Sequence, residues 1–114
     1  MQKTMSKTQI TFTPEFQKEY KRLAKKYISV KTDVQTLVAE LQENPTLGIS
    51  LGRGAYKIRM AITTKNKGKS GGARVITYFW SEENELYLIS IYDKSEETTM
   101  TGDAINERID IILG

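Results

Sequence analysis

The run Arg74-Val75-Ile76-Thr77-Tyr78-Phe79-Trp80, Ser81-Glu82-Glu83-Asn84, Glu85-Leu86-Tyr87-Leu88-Ile89-Ser90-Ile91-Tyr92 decides the architecture. Residues 74–80 are rich in β-branched and aromatic types and are apolar on both faces, which predicts an inner strand of a sheet. Residues 81–84 are a polar turn, too short for a crossover, so residues 85–92 are expected to return antiparallel to the first strand. Upstream, Tyr56, Ile58 and Met60 alternate with Lys57, Arg59 and Ala61. That period of two predicts another strand, with Lys57 and Arg59 on a common face. Thr63 to Gly72 lies between the strands and reads as a flexible basic loop carrying Lys65, Lys67 and Lys69.

Further toward the N-terminus the period changes. Ile10 and Phe12 alternate with threonines in a short strand-like run. Thr13-Pro14-Glu15 then has the chemistry of a helix start: a hydroxyl to cap free amides, a proline suited to the first turn and a carboxylate at the positive end. Phe16, Tyr20, Leu23, Ala24 and Tyr27 recur at helical spacing, with Lys18, Lys21, Arg22 and Lys25 largely off that stripe. A second helix is expected from about Val30 to Glu43, burying Val34, Leu37, Val38 and Leu41 and ending at Asn44-Pro45. Ile105, Ile109 and Ile112 mark a C-terminal helix, with Thr101 or Asp103 as its cap. Helices and strands are segregated, which predicts an α+β fold on an antiparallel sheet of about four strands. The two N-terminal helices are expected on one sheet face, with Lys57, Arg59 and Arg74 exposed on the other.

Composition narrows the chemistry. The 114 residues suit one domain spanning 1–114, and 39% hydrophobic with 27% charged residues argues against global disorder. Cysteine and histidine are both absent, which removes disulfides, thiolate catalysis, zinc fingers and Ser-His-Asp chemistry. No cofactor or metal is expected. No apolar run is long enough to span a membrane, and Met1 to Gln9 lack a signal-peptide core, so a cytoplasmic protein is expected. The net charge of +3 hides an asymmetry. Between Pro45 and Ser81 there is no acidic residue, while Arg53, Lys57, Arg59, Lys65, Lys67, Lys69 and Arg74 all occur there. From Glu82 onward nine acidic residues face two basic ones. One sign of charge concentrated in the middle of the chain points to an anionic partner.

If the three strands are neighbours, Lys57, Arg59, Arg74 and Lys94 converge on one face. Arginine offers a rigid fork of donors to phosphate oxygens and lysine a compact charge, so the cluster suits a phosphodiester. Tyr78, Trp80 and Tyr92 offer surfaces on which bases can stack. Each residue also has an ordinary reading. Lys57 and Arg59 fit the solvent side of a half-buried strand, and Lys65 to Lys69 fit a soluble loop tip. Arg74 has Glu85 or Glu96 as partners, Lys94 has Asp93 or Glu97, and Tyr78 and Trp80 fit a core. Joint occurrence in an acid-free segment favours nucleic acid.

The stretches Tyr56-Lys57-Ile58-Arg59, Lys67-Gly68-Lys69-Ser70-Gly71-Gly72-Ala73-Arg74-Val75-Ile76 and Ile91-Tyr92-Asp93-Lys94-Ser95-Glu96 resemble the RelE/ParE toxin superfamily, and within it the HigB-like RelE toxins. The likeness runs from Ile10 to Leu113. It implies two N-terminal helices, an antiparallel sheet and a C-terminal helix. It also implies a type II toxin–antitoxin toxin that cuts mRNA in the ribosomal A site and is silenced by a helix-turn-helix, HigA-like antitoxin. By the same resemblance Lys57, Arg59, Arg74 and Lys94 are the catalytic set; from the charge of the loop and the stacking surface, Lys65, Lys67, Lys69 and Tyr92 are expected to bind RNA. Two departures stand out: Lys94 replaces an arginine, and Met100 falls near where some members carry a tyrosine, a role Tyr92 is then expected to fill. The rival readings are a ParE-like gyrase poison without nuclease activity and a non-catalytic RNA-binding domain.

Overall fold

A computed structural model describes residues 7–96 and 100–114. The order is β1 (Gln9–Phe12), α1 (Pro14–Lys26), α2 (Val30–Glu43), β2 (Ile49–Gly52), β3 (Ala55–Met60), β4 (Ala73–Trp80), β5 (Glu85–Asp93) and α3 (Gly102–Leu113). Single turns of 3-10 helix occupy Thr63–Lys65 and Ser81–Glu83. The helix signals act as their chemistry requires. The Thr13 hydroxyl accepts from the Phe16 amide at 3.2 Å, with Glu15 in the first turn of α1 and Lys25 and Lys26 in its last. Thr101, rather than Asp103, caps α3 by accepting from the Ala104 amide at 3.1 Å.

The strands form one sheet in the order β1-β5-β4-β3-β2. It has five strands where about four were expected, and it is not wholly antiparallel. β1 runs parallel to β5, pairing Gln9 with Glu85 and Phe12 with Leu88. The chain leaves β1 directly into α1, which packs on β5, so the first strand is left at the sheet edge in β5's direction. β2 is the other departure. Its four residues, Ile49-Ser50-Leu51-Gly52, are all exposed, and so short an alternation between Gly48 and Gly52 reads as part of a glycine-rich stretch. It joins β3 through Gly52, Arg53 and Gly54, whose φ angles of 90°, 55° and 83° make a tight reversal; the two glycines adopt it at little cost, while Arg53 holds a left-handed conformation that side-chain-bearing residues rarely take.

Both sheet faces are covered. Phe16, Leu23, Val34, Leu37 and Leu41 of α1 and α2 pack on Ile58, Met60, Val75, Leu86, Leu88 and Ile91. On the opposite face Ile105 and Ile109 of α3 pack on Ala55, Ile76, Tyr78 and Ile89. The register between β4 and β5 slips between Ile76, opposite Ser90, and Thr77, opposite Leu88. Ile89 is the extra residue, and it joins the apolar cluster beneath α3. Among the described residues, no helix is long and apolar enough to cross a membrane.

Candidate active site

Sheet register brings the basic residues together. Arg59 on β3 lies directly opposite Arg74 on β4, and Arg74 lies directly opposite Tyr92 on β5. The three form one row across three strands on the α3 side of the sheet. Lys57 lies two residues along β3 from Arg59, on the same face, and Lys94 follows β5 two residues after Tyr92. The Lys94 amide donates to the Gly72 carbonyl at 2.9 Å, which ties the end of β5 to the segment before β4. Among the described residues, none of Lys57, Arg59, Lys67, Lys69, Arg74 or Lys94 lies within ion-pair distance of a carboxylate. The alternative pairing of Arg74 with Glu85 or Glu96 does not form: Glu85 accepts from the Tyr87 hydroxyl and Glu96 pairs with Arg22 and Lys26. Glu97 lies outside the described residues.

Arg74 corrects a further expectation. It was to be exposed, yet the residue is only 7% accessible. An inner strand gives its long stem no route to water except along the sheet, so its head turns back onto the preceding loop. One terminal nitrogen donates to the Lys69 and Ala73 carbonyls, both at 3.2 Å, and the other donates to Ser70 at 3.1 Å. The guanidinium is thus oriented by backbone acceptors, with donor capacity left over for an anion. Arg59, by contrast, is exposed and Lys57 half-buried.

The basic loop is closed by packing and hydrogen bonds at its two ends. Gly71 and Gly72 serve its close packing: a Cβ on Gly72 would meet the Met60 carbonyl oxygen, and one on Gly71 would stand 2.7 Å from the Lys67 Cβ. Lys65 donates to Asp93 Oδ1 at 2.7 Å, to the Gly71 carbonyl at 3.0 Å and to Ser95 Oγ at 3.3 Å. All three of its donor positions are taken, unlike those of Lys67 and Lys69, which are exposed. Asp93 is fully buried and also accepts from the Tyr27 hydroxyl at 2.9 Å and the Ser95 amide at 3.0 Å. Burial alone would raise its pKa; the donors from Lys65, Ser95 and Tyr27 overcome that and hold the carboxyl well below the usual range. Sequence reading missed Asp93, treating it as a surface partner for Lys94. The Asp-x-Ser spacing of residues 93–95, typical of an aspartate that accepts from an amide two residues on, was the available signal.

The aromatic residues divide. Tyr78 and Trp80 belong to the cluster under α3, where Tyr78 stacks on Tyr87 with ring centroids 6.4 Å apart, so they serve as core. Tyr92 is half-buried at the end of the Arg59–Arg74 row. Burial raises its pKa, partly offset by the nearby Arg74 charge. Beside the row, where β2 no longer flanks β3, a groove of about 750 Å³ opens between β3 and α2. Leu37, Leu47, Ile58 and Met60 line it, and Lys57, Arg59 and Lys69 stand on it. Asp33 and Glu40 of α2 line its far wall, so the slot is apolar at its floor with cations on the β3 side and carboxylates on the helix side.

No protein-family model matches the chain. Solved structures do. A doubly substituted RelE toxin of E. coli in the free state is 20% identical, covering 95% of this chain and 99% of its own, with a TM-score of 0.63. A chain of the intact E. coli RelBE toxin–antitoxin complex is 20% identical over 78% of this chain and 99% of its own, at a TM-score of 0.60. The RelBE2 toxin–antitoxin complex of Mycobacterium tuberculosis supplies a match at 15% identity, 82% and 98% coverage, and a TM-score of 0.60. The chain has the fold of RelE toxins.

Proposed function

We propose that this protein is a single-domain, HigB-like toxin of a type II toxin–antitoxin module and a ribosome-dependent mRNA endoribonuclease acting in the cytoplasm. One observation carries the reading: on a RelE fold, Arg59 and Arg74 face each other across adjacent strands without a carboxylate partner among the described residues. Like charges directly opposite each other on a sheet repel, and a bound phosphodiester turns that repulsion into attraction.

The chemistry is transfer within the RNA backbone, without a metal ion. The ribose 2′-oxygen bonds to the adjacent phosphorus, the bond from phosphorus to the 5′-oxygen breaks, and a 2′,3′-cyclic phosphate and a 5′-hydroxyl result. One proton leaves the 2′-hydroxyl and one reaches the departing 5′-oxygen. Arg74 and Arg59 stabilise negative charge on the nonbridging oxygens, and Lys57 and Lys94 move the protons. Lys67 and Lys69 hold the strand, and Tyr92 stacks on a base. The ribosome contributes alignment of the mRNA.

The protein added to a translation extract will cut mRNA only when ribosomes are present and programmed. Arrest of DNA supercoiling without RNA cleavage would instead identify a gyrase poison, and RNA binding with neither effect a non-catalytic module. Expression in cells should stop growth, and co-expression of a helix-turn-helix protein encoded beside it should restore growth through a tight complex.

A further inference from the structure

Lys65, Asp93, Tyr27 and Ser95 form a polar cluster on the sheet face opposite the basic row, beneath the loop that leads into β4. The cluster joins four separate segments: the end of α1 through Tyr27, the 3-10 turn through Lys65, the loop through the Gly71 carbonyl, and the end of β5 through Asp93 and Ser95. Lys65 is only 11% exposed at its side chain, and its ammonium also lies 5.6 Å from the Tyr27 ring centre. A buried pair of this kind is costly to assemble unless every donor and acceptor is met, and here each is met.

The cluster is continuous with the site above it. Lys65 bridges to Gly71 and so closes the loop on itself. The carbonyls of Lys69 and Ser70, held inside that closed loop, orient the Arg74 guanidinium. The neighbouring Gly72 carbonyl receives the Lys94 amide. We propose that Lys65 and Asp93 are positioning residues: their ion pair latches the loop shut and thereby fixes both Arg74 and Lys94 at the reacting phosphate. This rests on the reading of Arg74 given above. It gives Lys65 a role distinct from that of Lys67 and Lys69, whose ammonium groups are free to meet RNA.

The test is single-turnover cleavage on programmed ribosomes with Lys65→Met, Lys67→Met and Lys65→Arg. Lys65→Met should lower the rate at saturating ribosomes by about tenfold or more, because a small misplacement of Arg74 is amplified in the transition state. The ribosome concentration at half-maximal rate should barely move. Lys65→Arg, which keeps the charge and the donors, should recover most of the rate. Lys67→Met should do the reverse, raising the half-saturating concentration with the saturated rate intact. A Lys65→Met protein that behaves like Lys67→Met would overturn the latch and make Lys65 an RNA contact. The charge-neutral variant Lys65→Met/Asp93→Asn carries the same measurements if Lys65→Met alone does not fold.

A second readout needs no activity. Nuclear magnetic resonance should show restricted rotation of the Arg74 guanidinium in the unmodified protein and averaged signals in Lys65→Met/Asp93→Asn. Unchanged Arg74 signals in that variant would overturn the latch whatever the cleavage assay gives. A wild-type protein that cuts no mRNA but shows the Arg74 change would remove the nuclease reading and keep the latch.

Discussion

The two faces of the sheet are built from the same strands and put to different uses. Beneath α1 and α2 the apolar residues of β3, β4 and β5 pack on side chains from Phe16 to Leu41, with Thr77 and Asp93 as buried polar positions on the same face. Beneath α3 the apolar cover extends over Ile76, Tyr78 and Ile89 and then stops, and the next row along the strands is Arg59, Arg74 and Tyr92. Alternation of side chains makes this division possible, since a strand residue cannot change face without shifting its whole neighbourhood. The continuous face supplies the stability that lets the interrupted face hold cations close together.

The comparison breaks first at Phe16. It is fully buried, with its ring 4.9 Å from Phe12 and 5.7 Å from Tyr20, and Phe16→Ala should cost about 3–5 kcal/mol in urea unfolding. Arg74→Ala should cost far less stability, about 1–2 kcal/mol for the lost carbonyl partners, yet lower ribosome-dependent cleavage about 10²-fold or more. Arg74→Lys should only partly restore the rate, because lysine lacks the two-pronged geometry. A folded Arg74→Ala protein cutting at the wild-type rate would remove Arg74 from the chemistry.

Acid sharpens the contrast from within the structural side. The Asp93 carboxyl is held below its ordinary value, so it contributes stability above the unfolded-state pKa of about 4 and loses it as pH falls toward its own lower value. The urea midpoint should therefore drop on acidification below about pH 4, and Lys65→Met/Asp93→Asn should show a shallower drop. On the functional side, Lys67→Met or Lys69→Met should reduce the log–log salt dependence of RNA binding by about 0.7 and leave the urea midpoint alone. The smallest effect belongs to Arg53, which reaches from the β2–β3 turn to Asp110 and Asn106 of α3 at 2.9 Å and 3.0 Å. That pair is exposed on both sides, and Arg53→Ala should change unfolding by less than about 1 kcal/mol.

The parts of the fold legible in the sequence are those with a period. Phe16 to Tyr27, Val34 to Leu41 and Tyr56 to Met60 each carry one, and each is the element it announced. β2 alternates over only four residues, Ile49-Ser50-Leu51-Gly52, too few to stand out from the glycines around them. The parallel placement of β1 is set by how α1 docks on β5, a tertiary fact absent from any local window. In the site, the residue types and the common face of Lys57 and Arg59 could be read from spacing. The burial of Arg74 and the occupation of Lys65 could not, since both depend on where the carbonyls of residues 69–71 and the carboxylate of Asp93 come to rest.

The parallel pairing of β1 with β5 also bears on how the chain folds. Gln9 to Phe12 find their strand partner only at Glu85 to Leu88, and α1 rests largely on the same strand. Contacts so distant along the chain are slow to form, because a long loop must close before any of them contributes. During synthesis the first helix therefore emerges with only β1 and α2 to cover its apolar stripe, and gains its main seat when β5 has left the ribosome. A chain interrupted before Glu85 has no strand to receive β1, no seat for Phe16 and no Tyr92 or Lys94 to finish the basic row. Completion of the basic row and of the core beneath α1 and α2 thus fall at nearly the same point of translation, before α3 has emerged.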